Sequence, residues 1–192
     1  MSRIFLALSA AALLLTSACG SSKPVVADTS DAAPVLLPPA HCAPEDSECR
    51  EAAMAGEHVG WLRLGLTADD LVSRLGPPAE KGEPEEWGAD GLFHAQWSWP
   101  AAGVEADMTS NTADGPQTVD GFTVSPPFDG TTARGIGVGA SREAVEKAYA
   151  TLGATDHEAN DSLLVAGSVF GGVFFRLDSG KVVSIFVGAG AE

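Results

Sequence analysis

The amino-acid sequence predicts an α+β fold made of two tandem units, each with short helices packed on a three- to four-stranded antiparallel sheet. One observation behind this is a repeat. The stretch 62–78 reads apolar, Gly, apolar, hydroxyl, acid and then an apolar helix face. The stretch 136–149 has the same order, with Gly65 and Gly139 lying 74 positions apart. That spacing is too long for a solenoid repeat and suits one small unit. The other observation is that short segments of alternating apolar and polar residues follow each copy, bounded by Gly, Pro, Asp and Ser.

The repeated stretch is a helix start. Thr67 is placed to accept a hydrogen bond from the Asp70 amide while the Asp70 carboxylate answers the Thr67 amide, a short-armed capping box. Leu66 and Leu71 flank it as a hydrophobic staple. Leu71, Val72 and Leu75 form the buried stripe, and Gly76 with Pro77 and Pro78 ends the helix. In the second copy Ser141 is the cap and Glu143 lies in the first turn. Val145, Ala148, Tyr149 and Leu152 form its stripe, and Gly153 is its stop. Helices this short need a sheet to lie on.

Residues 1–18 have a short basic start, Met1-Ser2-Arg3, and an apolar run over 4–15 that is too short to span a bilayer. This is the pattern of a secretory signal. The run Leu15-Thr16-Ser17-Ala18-Cys19-Gly20 resembles the lipobox of bacterial lipoproteins, whose cysteine carries lipid (palmitate) and becomes the first mature residue. The resemblance implies a membrane anchor on Cys19, and Gly20 after it is similar to the outer-membrane sorting pattern. Thr16-Ser17-Ala18 also suits an ordinary signal cleaved after Ala18, which would leave a secreted or soluble periplasmic protein. Residues 19–41 are rich in Ser, Ala, Pro and Asp without periodicity, the composition of a disordered tether. In an oxidising compartment Cys42 and Cys49 are expected to form a disulfide. A metal site at His41, Cys42 and Cys49 lacks the fourth ligand that structural zinc takes, so no metal is expected.

Residues 42–124 make the first unit. A short helix is expected within 44–55, with Gly56 as its stop, and an extended segment over 59–64 leads to the first repeated helix. The acidic stretch 80–86 contains Gly82 and Pro84, which oppose regular structure, and it lacks the ordered carboxylate spacing of a calcium loop. Residues 92–99 alternate cleanly. Phe93, Ala95, Trp97 and Trp99 take one face, and Leu92, His94, Gln96 and Ser98 take the other. Strands are expected over 104–108 and 117–124, with a bulge at Gly121.

Residues 125–135, with Pro126, Pro127 and Gly130, are a linker, and 136–192 make the second unit. Its strands are expected over 162–168, 172–177 and 181–187, the last two joined by a tight Asp178-Ser179-Gly180 turn. Val173, Phe175 and Leu177 are expected to face inward with Val183, Ile185 and Val187, leaving Phe174, Arg176, Val182, Ser184 and Phe186 outward. Phe174, Arg176 and Phe186 then form either an exposed patch with the composition of an interface, extended by His94 and Gln96, or a core between the units.

The chain carries 26 acidic against 11 basic residues, a formal charge of −15. Such a surface repels nucleic acid and anionic lipid headgroups and favours basic partners or plain solubility. Gly135-x-Gly137-x-Gly139 is not a dinucleotide loop, because the full Gly-x-Gly-x-x-Gly and a Walker lysine are missing. His41, His58, His94 and His157 are scattered, Asp156-His157-Glu158 reads as a polar loop, and no Gly-x-Ser-x-Gly elbow occurs. Trp97 and Trp99 read as core in preference to a ligand-stacking platform. No catalytic residue and no cofactor are expected.

The helix start Leu64-Gly65-Leu66-Thr67, Leu71 and Leu75-Gly76-Pro77-Pro78, behind a lipobox and ahead of three antiparallel strands, resembles the SmpA/OmlA (BamE-like) family of small outer-membrane lipoproteins. The tandem arrangement resembles that of beta-lactamase inhibitory proteins, in which two helix-plus-sheet repeats join into a binding surface. These resemblances imply a lipid-anchored, non-catalytic periplasmic binding or inhibitor-like protein that meets a protein partner. The alternative they imply is a structural accessory of outer-membrane protein assembly; an enzyme is the third reading. This chain differs from the BamE-like pattern in carrying two copies, the second without the Gly-x-Pro ending.

Overall fold

The computed structural model describes residues 47–150, 152, 160–168 and 170–190. The signal, the tether, Cys19, Cys42, Gly153 and the loop holding His157 lie outside the described residues. The elements in chain order are α1 (Ser47–Met54), α2 (Ala68–Leu75), β1 (Glu80–Lys81), β2 (Glu85–Glu86), β3 (Phe93–Trp99), β4 (Val104–Ser110), β5 (Thr118–Val124), α3 (Arg142–Ala148), β6 (Leu163–Ser168), β7 (Gly171–Asp178) and β8 (Lys181–Gly188). A 3-10 turn over Pro100–Ala102 joins β3 to β4.

The expected α+β pair of units, each on its own three- to four-stranded sheet, is not what forms. The strands make one eight-stranded antiparallel sheet in the order β1-β3-β4-β5-β8-β7-β6, with β2 also on β3, and the described chain is mainly strand. The cause lies at the inner edges of the two meanders. β5 and β8 each end their meander with unpaired backbone groups, and they satisfy one another through Phe122 opposite Val187, Thr123 opposite Phe186 and Val124 opposite Ile185.

The repeated helix starts are pinned to this sheet in the same way. The Gly65 amide donates to the Val119 carbonyl at 2.7 Å, the Val119 amide to Leu66 at 2.8 Å, and the Ala68 amide to Gln117 at 3.0 Å. In the second copy the Gly139 amide donates to Val182 at 2.7 Å, the Val182 amide to Ala140 at 2.9 Å, and the Arg142 amide to Gly180 at 3.0 Å. Gly65 and Gly139 both have positive φ, 76° and 88°, which lets each helix start turn onto the third strand of its meander.

Local chemistry sets the helix boundaries. The Asp70 amide donates to Thr67 Oγ1 at 3.2 Å and the Thr67 amide to Asp70 Oδ2 at 3.0 Å, completing the capping box. Ser141 caps α3 by accepting from the Ala144 amide at 3.3 Å. Leu71 is fully buried, but Val72 is 36% exposed and is not part of the stripe, because one residue on from Leu71 is about 100° around the helix. The end of α2 is held down by Trp99, whose Nε1–H donates to the Gly76 carbonyl at 2.9 Å.

All three helices contribute to a single core on one sheet face. Leu71, Val145, Tyr149 and Leu152 meet Trp97, Trp99, Met108, Phe122, Phe175 and Ile185 there, with Cys49 and Met54 of α1 packed against them. Trp97 and Trp99 are therefore core. Two details of the sequence reading change. A β-bulge at Arg176/Leu177 puts Leu177 opposite Val182, so Val182 is buried and Val183 is not. The acidic stretch is not all loop. Glu80 and Lys81 pair with Ser98 and Trp97, and Glu85 and Glu86 pair with His94 and Phe93, with Gly82 to Pro84 confined to the gap between β1 and β2.

Candidate functional site

The outer face of the sheet carries the candidate site. Antiparallel partners share a face, so register assigns each side chain. Gln96 lies opposite Asp107, Asp107 opposite Gly121, Glu85 opposite His94, Glu105 opposite Thr123, and Thr123 opposite Phe186. Phe186 lies opposite Phe174, and their ring centroids are 5.4 Å apart in a tilted arrangement. The β4–β5 ladder slips between Asp107 and Met108, so Asp120 is the extra residue beside Gly121. A Cβ on Gly121 would lie 3.1 Å from Asp107 Oδ2 and 3.2 Å from the Phe186 ring, so glycine lets that ring lie across β5.

A groove of about 430 Å³ opens between this face and the stretch from Glu83 to Trp87. His94, Gln96, Asp107, Gly121 and Phe186 form its floor, and Glu83, Glu85, Trp87 and Asp120 its rim. The strap is held down where the Gly82 amide donates to the Gln96 carbonyl at 2.8 Å. Trp87 stacks flat on His94, with centroids 3.9 Å and planes 9° apart. His94 is itself buried, and its Nε2 is 2.9 Å from Asp90 Oδ2. The Leu92 amide and then His94 bond the Asp90 carboxylate, and both hold its pKa below the usual value. These contacts fix an aromatic wall before any ligand arrives.

Of the five candidate partner-binding residues read from the sequence, Phe174, Arg176, Phe186, His94 and Gln96, three line the groove: His94, Gln96 and Phe186. Phe174 supports it through Phe186 without lining it. Arg176 stands apart on β7, exposed and opposite Ser184. Phe174 and Phe186 are half-buried, and Phe186 of the second meander rests over Gly121 of the first. Of the cysteines, Cys49 is disulfide-bonded, while Cys19 and Cys42 lie outside the described residues. Among the described residues no group of three or more His, Cys, Asp and Glu is placed to hold a metal, and no helix is long and apolar enough to cross a membrane.

Sequence reasoning missed two features. One is Trp87, which sits in a stretch without alternation; its signal was only an aromatic residue beside an acidic run. The other is a buried polar cluster at the helix side of the sheet. Glu57 is ion-paired with Arg134, Tyr149 donates to Glu57 Oε2 at 3.1 Å, and the Arg134 guanidinium lies 5.0 Å from the Tyr149 ring centre. Burial pushes the Tyr149 phenol up to about 12, against the opposing pull of Thr132 and Arg134, and burial lowers the pKa of Arg134. A second cleft, about 640 Å³, is lined by Glu57, Leu64, Phe170, Gly171 and Gly188 among others, with Phe170 80% exposed at its mouth.

No protein-family model matches the chain, and no curated protein or solved structure matches it.

Proposed function

We propose that this chain is a non-catalytic binding module, anchored through lipid on Cys19 to the periplasmic face of the outer membrane, that meets a protein partner through the outer sheet face. The observation that carries the reading is the convergence of His94, Gln96 and Phe186 on one groove of a face opposite the helices. The aromatic wall and the half-buried Phe174–Phe186 pair have the composition of an interface centre, and the polar rim around them fits the usual anatomy of such surfaces. The lipobox-like run 15–20 supports the anchor. The BamE-like helix start at 64–78 fits a protein of that compartment.

Photocrosslinking in cells tests the reading. A crosslinker at Gln96 or Phe174 is expected to give a discrete protein adduct that one at Val72, on the helix side, does not give. Equal adducts from all three positions would overturn it. Mass spectrometry of the mature N-terminus tests the anchor, and an unmodified Cys19 would remove it.

A further inference from the structure

We infer that the groove between the Glu83–Trp87 strap and the outer sheet face takes an arginine-bearing segment of a basic polypeptide; this rests on the proposed binding role of that face. Charge is the first reason. The outward positions of β1 to β5 carry Glu80, Glu85, Glu105 and Asp107, the bulge adds Asp120, and the strap adds Glu83. No Lys or Arg stands at an outward position of those strands. The one Lys or Arg of those strands, Lys81, is turned to the other face, where its ammonium sits 4.4 Å from the Trp97 ring centre. Among the described residues the carboxylates of the groove thus meet no Lys or Arg on those strands, and on an already acidic chain the groove complements a cation.

Shape and chemistry narrow the cation to arginine. About 430 Å³ holds a side chain or two and excludes a folded surface. Carboxylates at Asp107 and Glu85 stand beside the flat Trp87–His94 stack and the Phe186 ring. A planar guanidinium stacks on an aromatic face while its fork bonds a carboxylate, whereas an ammonium offers only a point charge. The strap and the stack are in place without ligand, so little ordering is required on binding.

The test uses the full chain and three synthetic peptides of equal length, Gly-spaced with Arg, Lys or Glu, titrated calorimetrically at low and high salt. The Arg peptide is expected to bind, the Lys peptide several-fold more weakly and the Glu peptide not at all. Affinity is expected to fall about ten-fold from low to high salt. Glu85→Gln/Asp107→Asn is expected to weaken the Arg peptide about ten-fold, and Phe186→Ala to reduce the Arg preference over Lys. Asp69→Asn/Glu143→Gln, the same charge change on the helix side, is the control. If that control weakens binding as much as the groove variant, attraction is to net charge only and the inference fails. If no basic peptide binds while Gln96 still crosslinks a partner in cells, the inference fails and the binding role stands. If neither binding nor crosslinking occurs, both fall.

Discussion

The Glu57 carboxylate, just beyond α1, is ion-paired with the Arg134 guanidinium in the segment joining the two halves, with both side chains almost fully buried at 2% and 3% exposure. Tyr149 closes the cluster from α3. Three parts of the chain distant in sequence are thus joined by one polar cluster, at the side of the sheet that the helices cover.

Removing one partner leaves the other as an uncompensated buried charge. Glu57→Gln and Arg134→Met are each expected to destabilise the fold by about 3–5 kcal/mol, measured by urea unfolding. The double variant Glu57→Gln/Arg134→Met is expected to recover a large part of that loss. Additive losses would show that the two groups act separately.

Tyr149 is the only tyrosine of the chain. Its pKa is raised in the folded state to about 12 from an ordinary 10.0, so folded protein holds the phenol proton more tightly than unfolded chain. Its contribution is therefore fully present below pH 10 and is lost as pH rises from 10 through about 12, an effect of about 2–3 kcal/mol. Phenolate absorbance is expected to titrate near 12 in folded protein and near 10 in urea. Tyr149→Phe should flatten that part of the stability profile.

The capping box gives an acid-side prediction. Hydrogen bonds from the Thr67 side chain and then from its amide lower the Asp70 pKa below 3.8. A carboxylate with a lowered folded pKa stabilises above its unfolded value and loses that effect as pH falls through the folded one. Thr67→Ala is expected to return the Asp70 pKa toward 3.8 by NMR titration and to cost about 1 kcal/mol. An unmoved Asp70 titration would show that Thr67 is not its partner in solution.

Gly103 ends the turn between β3 and β4 with φ 68°, and a Cβ there would run into the Ser125 carbonyl oxygen. Gly103→Ala is expected to cost at least about 2 kcal/mol, from left-handed backbone plus the clash. Gly103→Asn tolerates the backbone conformation but keeps the Cβ, so it is expected to be nearly as costly. Full rescue by Asn in thermal unfolding would show that only the backbone angle matters.

Local features were legible in the sequence because local chemistry decides them. Thr67 and Ser141 cap helices for the reason their spacing gives, and Ser179 and Gly180, at φ 50° and 73°, make the primed hairpin turn that the Asp178-Ser179-Gly180 run implies. The alternation at Ala95, Trp97 and Trp99 named the core face. The pairing of β5 with β8 was not legible, since nothing in Phe122-Thr123-Val124 or Ile185-Phe186-Val187 says which strand each will meet. The bulge that buries Val182 in place of Val183 shifts alternation by one residue, and no single residue type announces it. At the groove, His94, Gln96 and Phe186 were reachable by alternation. Trp87 and the carboxylate rim were not, because short edge strands hide inside an acidic run.

The last of the described strands in chain order, β8, sits in the middle of the sheet, hydrogen-bonded on both sides to β5 and β7. Without β8 the sheet would fall into two pieces, β1 to β5 on one side and the lone β6–β7 hairpin on the other, so this one strand acts as the keystone between the halves.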